Sequence, residues 1–120
     1  MNIAAILGTA AVALLHGYFM VLEMFLWDQP TGRRIFGTTA EFAAASKGLA
    51  ANQGLYNGFL AAGLLWSLWL GERGIPARIF FLCCVIIAGS YGAYSVNRRI
   101  LFVQALPAAL ALAATLMASG

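Results

Sequence analysis

Residues 3–27, IAAILGTAAVALLHGYFMVLEMFLW, carry one formal charge, at Glu23. A helix rises 1.5 Å per residue, so roughly 20 apolar residues cross the ~30 Å hydrocarbon layer of a bilayer. This stretch reads as a transmembrane helix. Three more runs of the same kind follow, at about residues 49–70, 77–96 and 100–118. The breaks between them are rich in Pro, Gly and charge: Asp28-Gln29-Pro30-Thr31-Gly32 closes the first run, and Gly71-Glu72-Arg73-Gly74-Ile75-Pro76 separates the second from the third. Asn97-Arg98-Arg99 is so short a link that spans 3 and 4 must be antiparallel neighbours.

Composition agrees with this division. With 62% hydrophobic and 9% charged positions in 120 residues, the chain has too few polar side chains to cover a water-soluble globule. The first run lacks a basic n-region and holds His16 and Glu23, so it reads as a span rather than a cleaved signal peptide. The expected fold is all-α: a four-transmembrane-helix antiparallel bundle, one membrane domain over residues 1–120, multi-pass in the cell inner membrane, with the lipid bilayer as its first partner. Arg33, Arg34, Lys47, Arg98 and Arg99 fall on one side against Arg73 and Arg78 on the other, which puts both termini on the periplasmic side. Arg78 belongs to the start of span 3. Cations that flank spans serve topology and anionic headgroups, and nucleic acid is not an expected partner.

The connection over residues 28–48 is the only substantial segment between spans. Its Thr38-Thr39-Ala40-Glu41 reads as a capping box that starts a helix near Thr39, and that helix can run through Gly48 into span 2. Trp27 marks one interface, and Trp66 and Trp69 the other. Pro107 is expected to bend span 4. The adjacent Cys83 and Cys84 suit neither an ordinary disulfide nor a metal site and read as small buried hydrophobes.

Ordering the polar residues by depth brings them to one end of the bundle. Spans 1 and 3 reach the more basic side with Glu23, Tyr91, Tyr94 and Asn97 in their last turns. Spans 2 and 4 leave it with Asn52, Gln53, Tyr56, Asn57 and Gln104 in their first turns, and only His16 lies deeper. His16, Met20, Glu23 and Trp27 share a helical face. Asn52 with Tyr56, and Gln53 with Asn57, form i, i+4 pairs. A carboxylate inside a span costs a few kcal/mol or more and therefore faces protein or water. The expectation is a polar intramembrane pocket open to the basic side, rimmed by Arg98 and Lys47 and suited to a small anionic or amphiphilic ligand.

A packing role competes with this at every position. Membrane amides hydrogen-bond one another to hold bundles together, Glu23 can reach interfacial water or Arg98 or Arg99, and His16 suits a satisfied core histidine as well as a proton carrier. The small-residue ridges Gly54, Gly58 and Ala62, Gly89 and Ala93, and Ala105, Ala109 and Ala113 favour close helix contact, within one protomer or between protomers of a homo-oligomer. No Walker loop, zinc motif, CxxC pair or nucleophile elbow is present, and no cofactor is evident.

The stretches Leu22-Glu23-Met24-Phe25-Leu26-Trp27, Ala51-Asn52-Gln53-Gly54-Leu55-Tyr56-Asn57-Gly58-Phe59 and Gln104-Ala105-Leu106-Pro107-Ala108 resemble the small bacterial membrane proteins grouped as domain of unknown function 1304. That resemblance implies a four-helix membrane protein and brings no activity. Gln53-Gly54-Leu55-Tyr56-Asn57 is more loosely similar to a pattern in the membrane-associated proteins in eicosanoid and glutathione metabolism, with Tyr56 in place of a Glu and Ala50 in place of an Arg. The looser similarity implies a trimer that binds glutathione. Under it, Arg98, Gln53 and Asn57 would hold the ligand carboxylates and Tyr91 or Tyr94 would stabilise a thiolate. Three functions stand after the sequence: binding or transport of a small polar ligand, with Glu23 and His16 relaying a proton; a glutathione-dependent enzyme; and a structural or partner-binding subunit.

Overall fold

The computed structural model describes the chain from Asn2 to Ser119. Met1 and Gly120, on which the expected sidedness of the termini bears, lie outside the described residues. The chain is α-helical almost throughout: α1 (Ile3–Phe25), α2 (Pro30–Phe36), α3 (Ala40–Trp69), α4 (Ile75–Ser95) and α5 (Leu106–Ser119). A 3-10 turn, Gly71–Gly74, precedes α4, and a π-helical turn, Leu101–Ala105, precedes α5.

Local chemistry accounts for the element ends. Asn2 Oδ1 accepts the Ala4 backbone N–H at 2.7 Å and caps α1. The expected first span ran to Trp27, but α1 stops at Phe25, and Leu26 to Gln29 form the turn. Pro30 does not mark a loop, as the sequence reading had it. It opens α2, because a proline in the first turn of a helix loses a donor that had no intrahelical partner in any case. Gly32, also expected in a turn, is buried in α2: a Cβ there would meet the Leu26 carbonyl oxygen at 1.9 Å. Gly37 ends α2 at φ 67°.

A helix does begin after Thr39, whose Oγ1 accepts the Phe42 backbone N–H at 3.1 Å. The cap is thus Thr39 rather than Thr38, which leaves Glu41 at the second helical position, one short of the reciprocal bond of a capping box. From there α3 continues without interruption through Gly48 for 30 residues. The irregularity expected at Pro107 takes the form of the π-helical turn just before it, closed by the Leu106 N–H on the Leu101 carbonyl. Cys83 and Cys84 are free and half-buried rather than buried.

Two compact units divide the residues, one formed by 15–59 and the other by 1–14 with 60–120. In the first, α3 runs antiparallel to the end of α1: Asp28 pairs with Lys47, Glu23 with Gln53, and Met20 lies against Gly58. In the second, Val12, Ala13, Leu64, Leu82, Val85, Ala108 and Ala111 form the core. There α4 and α5 are antiparallel, as the short link between them requires, since Gly92 faces Ile100 and Gly89 faces Ala105. Ala105 is therefore a contact within the protomer. Ala109 and Ala113 are exposed, as is Ala62, the expected third member of the α3 ridge.

Among the described residues, three helical stretches, Ile3–Phe25, Gly71–Ser95 and Leu101–Ala118, are long and apolar enough to cross a membrane. The expected second span is not among them. α3 has the length, about 45 Å at 1.5 Å per residue, but Asn52, Gln53 and Asn57 lower its hydropathy. Large apolar side chains face outward along the helices, among them Leu14 at 71% exposure, Ile87 at 69% and Leu110 at 64%.

Candidate functional site

Glu23 lies two residues before the end of α1 and is 3% exposed. Both carboxylate oxygens are used: Oε2 accepts from the Gln53 Nε2 amide and Oε1 from the Asn57 Nδ2 amide. Gln53 and Asn57 are one helical turn apart on α3, so their amides reach the same carboxylate. The other i, i+4 pair read from the sequence, Asn52 and Tyr56, is exposed.

Two glycines on α3 make this reach possible. A methyl group on Gly54 would lie 3.0 Å from Glu23 Cβ and 3.2 Å from the Met20 carbonyl oxygen, and one on Gly58 would lie 2.6 Å from Met20 Sδ. The contact at Gly54 involves backbone, whereas the one at Gly58 is with the end of a flexible side chain. Gly54→Ala should therefore cost about 1–3 kcal/mol and Gly58→Ala less than about 1 kcal/mol, measured by equilibrium unfolding in mixed micelles. Equal costs would show that the helices do not approach at this register.

His16, Met20 and Glu23 keep the helical face expected for them on α1, whereas Trp27 lies beyond the end of α1 in the turn. Met20 packs on Gly58, Glu23 binds the amides, and Trp27 Nε1 donates to Ser46 Oγ at 3.0 Å while its ring lies 4.8 Å from that of Phe36. His16, on the same face, is fully buried with its ring edge-on to Phe19 at 5.4 Å. The hydroxyl of Ser46 in turn donates to the Phe42 carbonyl at 2.7 Å. The sequence reading missed the Trp27–Ser46 bond, and a tryptophan N–H that needs an acceptor was the available signal.

Lys47, expected at the rim of a ligand pocket, instead binds Asp28 at 3.1 Å. The Lys47 ammonium hydrogen-bonded to it holds the Asp28 carboxyl below the usual carboxylate range. A folded-state value below the unfolded one means that the pair stabilises the connection above the ordinary carboxylate range and loses this as pH falls through the folded value. The protection of the Thr39–Lys47 amides, exchange divided by its intrinsic rate at each pH, should therefore fall on acidification in the wild type, and Asp28→Asn should remove that step. An unchanged acid response in the variant would dismiss the pair as its cause.

The remaining predicted residues belong to the second unit. Tyr91, Tyr94, Asn97 and Arg98 are exposed there, Tyr94 at 90%, and Asn97 Oδ1 accepts the Arg99 backbone N–H at 2.9 Å to shape the link into the last helix. Gln104 is half-buried in the π-helical turn. The sequence placed Arg78 at the start of a span without assigning it a role. It is fully buried in the first turn of α4, donates to the Ser67 carbonyl at 3.5 Å, and lines a cavity of about 190 Å³ with Asn2, Glu72 and Thr115. An arginine on a carbonyl of the last turn of α3 satisfies an orphan acceptor and complements the helix dipole.

The sequence pattern of the family described as "Protein of unknown function (DUF1304)" matches residues 10–116. The "Uncharacterized protein YpaA" of Lactococcus lactis subsp. lactis (strain IL1403) is 32% identical over 114 residues, covering 93% of this chain and 96% of that protein. No solved structure matches.

Proposed function

Since this chain belongs to the DUF1304 family, whose description assigns no activity, we propose its function from the site itself: a multi-pass inner-membrane protein that binds or transports a small polar or amphiphilic ligand at Glu23, Gln53 and Asn57. Three helices of spanning length and apolarity support the membrane setting. α3 joins them as a fourth span, because a 30-residue helix can hold its amides against Glu23 and present Leu, Phe and Trp side chains outward. The surplus of cations in the 28–48 and 97–99 links supports a site open to the cytoplasm.

The observation that carries the reading is Glu23, a carboxylate buried inside a helix of spanning length. Ionisable groups at such depth are costly and mark ligand or ion paths. The glutathione reading asks Gln53 and Asn57 to bind ligand carboxylates, but each turns an amide N–H to Glu23, whose carboxylate disfavours a second one beside it. The test is a thermal-shift screen of the detergent-purified protein against glutathione, other small anions, amines and lipids, repeated with Glu23→Gln and Asn57→Ala. A ligand of the folded state raises the melting temperature with occupancy. A shift lost in both variants supports the site, while no shift with any compound leaves a helix-packing network as the better account.

A further inference from the structure

The balance of charge and hydrogen-bonding groups around Glu23 narrows the ligand class. Among the described residues Glu23 makes no ion pair; its partners are the two amides. The cations of its own unit are Arg33, Arg34 and Lys47, in or beyond α2, and Lys47 is bound to Asp28. Two neutral amides solvate a carboxylate without cancelling its charge. A positive partner stabilises a buried anion in a membrane span more than neutral donors do.

The hydrogen-bond inventory points the same way. Gln53 and Asn57 direct N–H groups at the carboxylate. Each amide keeps one further N–H, and the larger share of what the cluster still offers is acceptor capacity: the second lone pairs of the Glu23 oxygens and the amide oxygens of Gln53 and Asn57. An incoming carboxylate or phosphate would meet oxygen acceptors and a like charge, whereas a group with N–H donors and a positive charge would meet its complement. Tyr56, three residues after Gln53 along α3, is 56% exposed, and its ring lies 6.0 Å from that of Phe59. An exposed aromatic pair one helical turn from the Gln53 that binds the carboxylate suits the apolar body of an amine and attracts its cation.

We infer that the ligand of the Glu23 site is a small primary ammonium compound with an aromatic or aliphatic body, bound through the Glu23 carboxylate. This rests on the ligand-site reading above and reverses the anionic preference that the sequence drew from Arg98 and Lys47. Isothermal titration of the full-length protein in detergent near neutral pH tests it with three probes of similar size: phenethylammonium, 3-phenylpropionate and 3-phenylpropanol. Phenethylammonium should bind, the other two should bind at least roughly ten-fold more weakly, and Glu23→Gln should weaken phenethylammonium by a similar factor. Tyr56→Ala, at an exposed position, should weaken it several-fold in a fold that is otherwise intact. Replacing sodium by lithium in the buffer should leave the affinity unchanged.

Tighter binding of 3-phenylpropionate with the same dependence on Glu23 would overturn the ammonium assignment and leave the ligand site standing. So would affinity that appears only when sodium is removed, which would assign the site to an inorganic cation. If Glu23→Gln does not fold, the order of the three probes in the wild type still decides the charge of the ligand. Absence of binding by these probes and by the whole thermal-shift panel would remove both readings.

Discussion

Asn57→Leu should destabilise the protein by about 2–3 kcal/mol, because it leaves one oxygen of a buried carboxylate without its donor. Glu23→Leu should cost less, since the amides it strands are neutral. The double variant Glu23→Leu/Asn57→Leu should recover about 1–2 kcal/mol relative to Asn57→Leu alone, because removing both partners of a buried polar contact is far cheaper than removing one. Equilibrium unfolding in mixed micelles gives the cycle. Additive losses would mean that the two residues do not act on each other and would dissolve the cluster on which the proposed function depends. A protein in which the double variant is stable but blind to every ligand would separate the helix-packing role of these residues from their binding role.

Gly74→Ala should cost about 3 kcal/mol, the upper end for inserting a methyl group into a packed site. An added Cβ would sit 2.0 Å from the Ser67 carbonyl oxygen and 2.8 Å from its carbon, so main chain has to move. The end of α3 and the start of α4 meet there, where Arg78 also donates to that carbonyl. The same substitution at Gly48 should have the opposite sign. That residue is inside α3 with nothing within 4 Å of the added carbon, and alanine there should stabilise by about 0.5–1 kcal/mol through helix propensity. Melting temperatures of the two variants compare the effects directly. A neutral Gly74→Ala would contradict the tight turn, and a destabilising Gly48→Ala would contradict an unbroken α3.

Periodicity and punctuation made most of the helices legible. The apolar runs at 3–27, 77–96 and 100–118 map onto α1, α4 and the π-helical turn with α5 to within a few residues, because a helix that must cover its own backbone polar groups without water needs an unbroken apolar run. The continuity of α3 through Gly48 was readable because one glycine costs a helix about 1 kcal/mol, less than thirty residues of propagation supply. α2 was not readable: Pro30 suits a turn as well as the first turn of a helix, and Gly32 is a turn residue by propensity whose packing against Leu26 appears only in the folded chain.

The candidate site divides along the same line. The sequence by itself determined that Glu23 shares a face with His16 and Met20, and that Gln53 and Asn57 form one i, i+4 pair and Asn52 and Tyr56 another, since 3.6 residues per turn leave no choice in either. Which pair turns inward was decided by the tertiary structure alone. Gly54 and Gly58 lie next to Gln53 and Asn57 and let α1 approach on that side, so both amides reach Glu23: Asn57 is buried there, whereas Gln53 reaches in from an exposed position, and Asn52 and Tyr56 are exposed. The fate of Lys47 and Arg78 was decided in the same way. A sequence shows how many charges a chain carries and on which helical face, but the distance that makes one of them a rim, an ion pair or a helix cap exists only once the helices are packed.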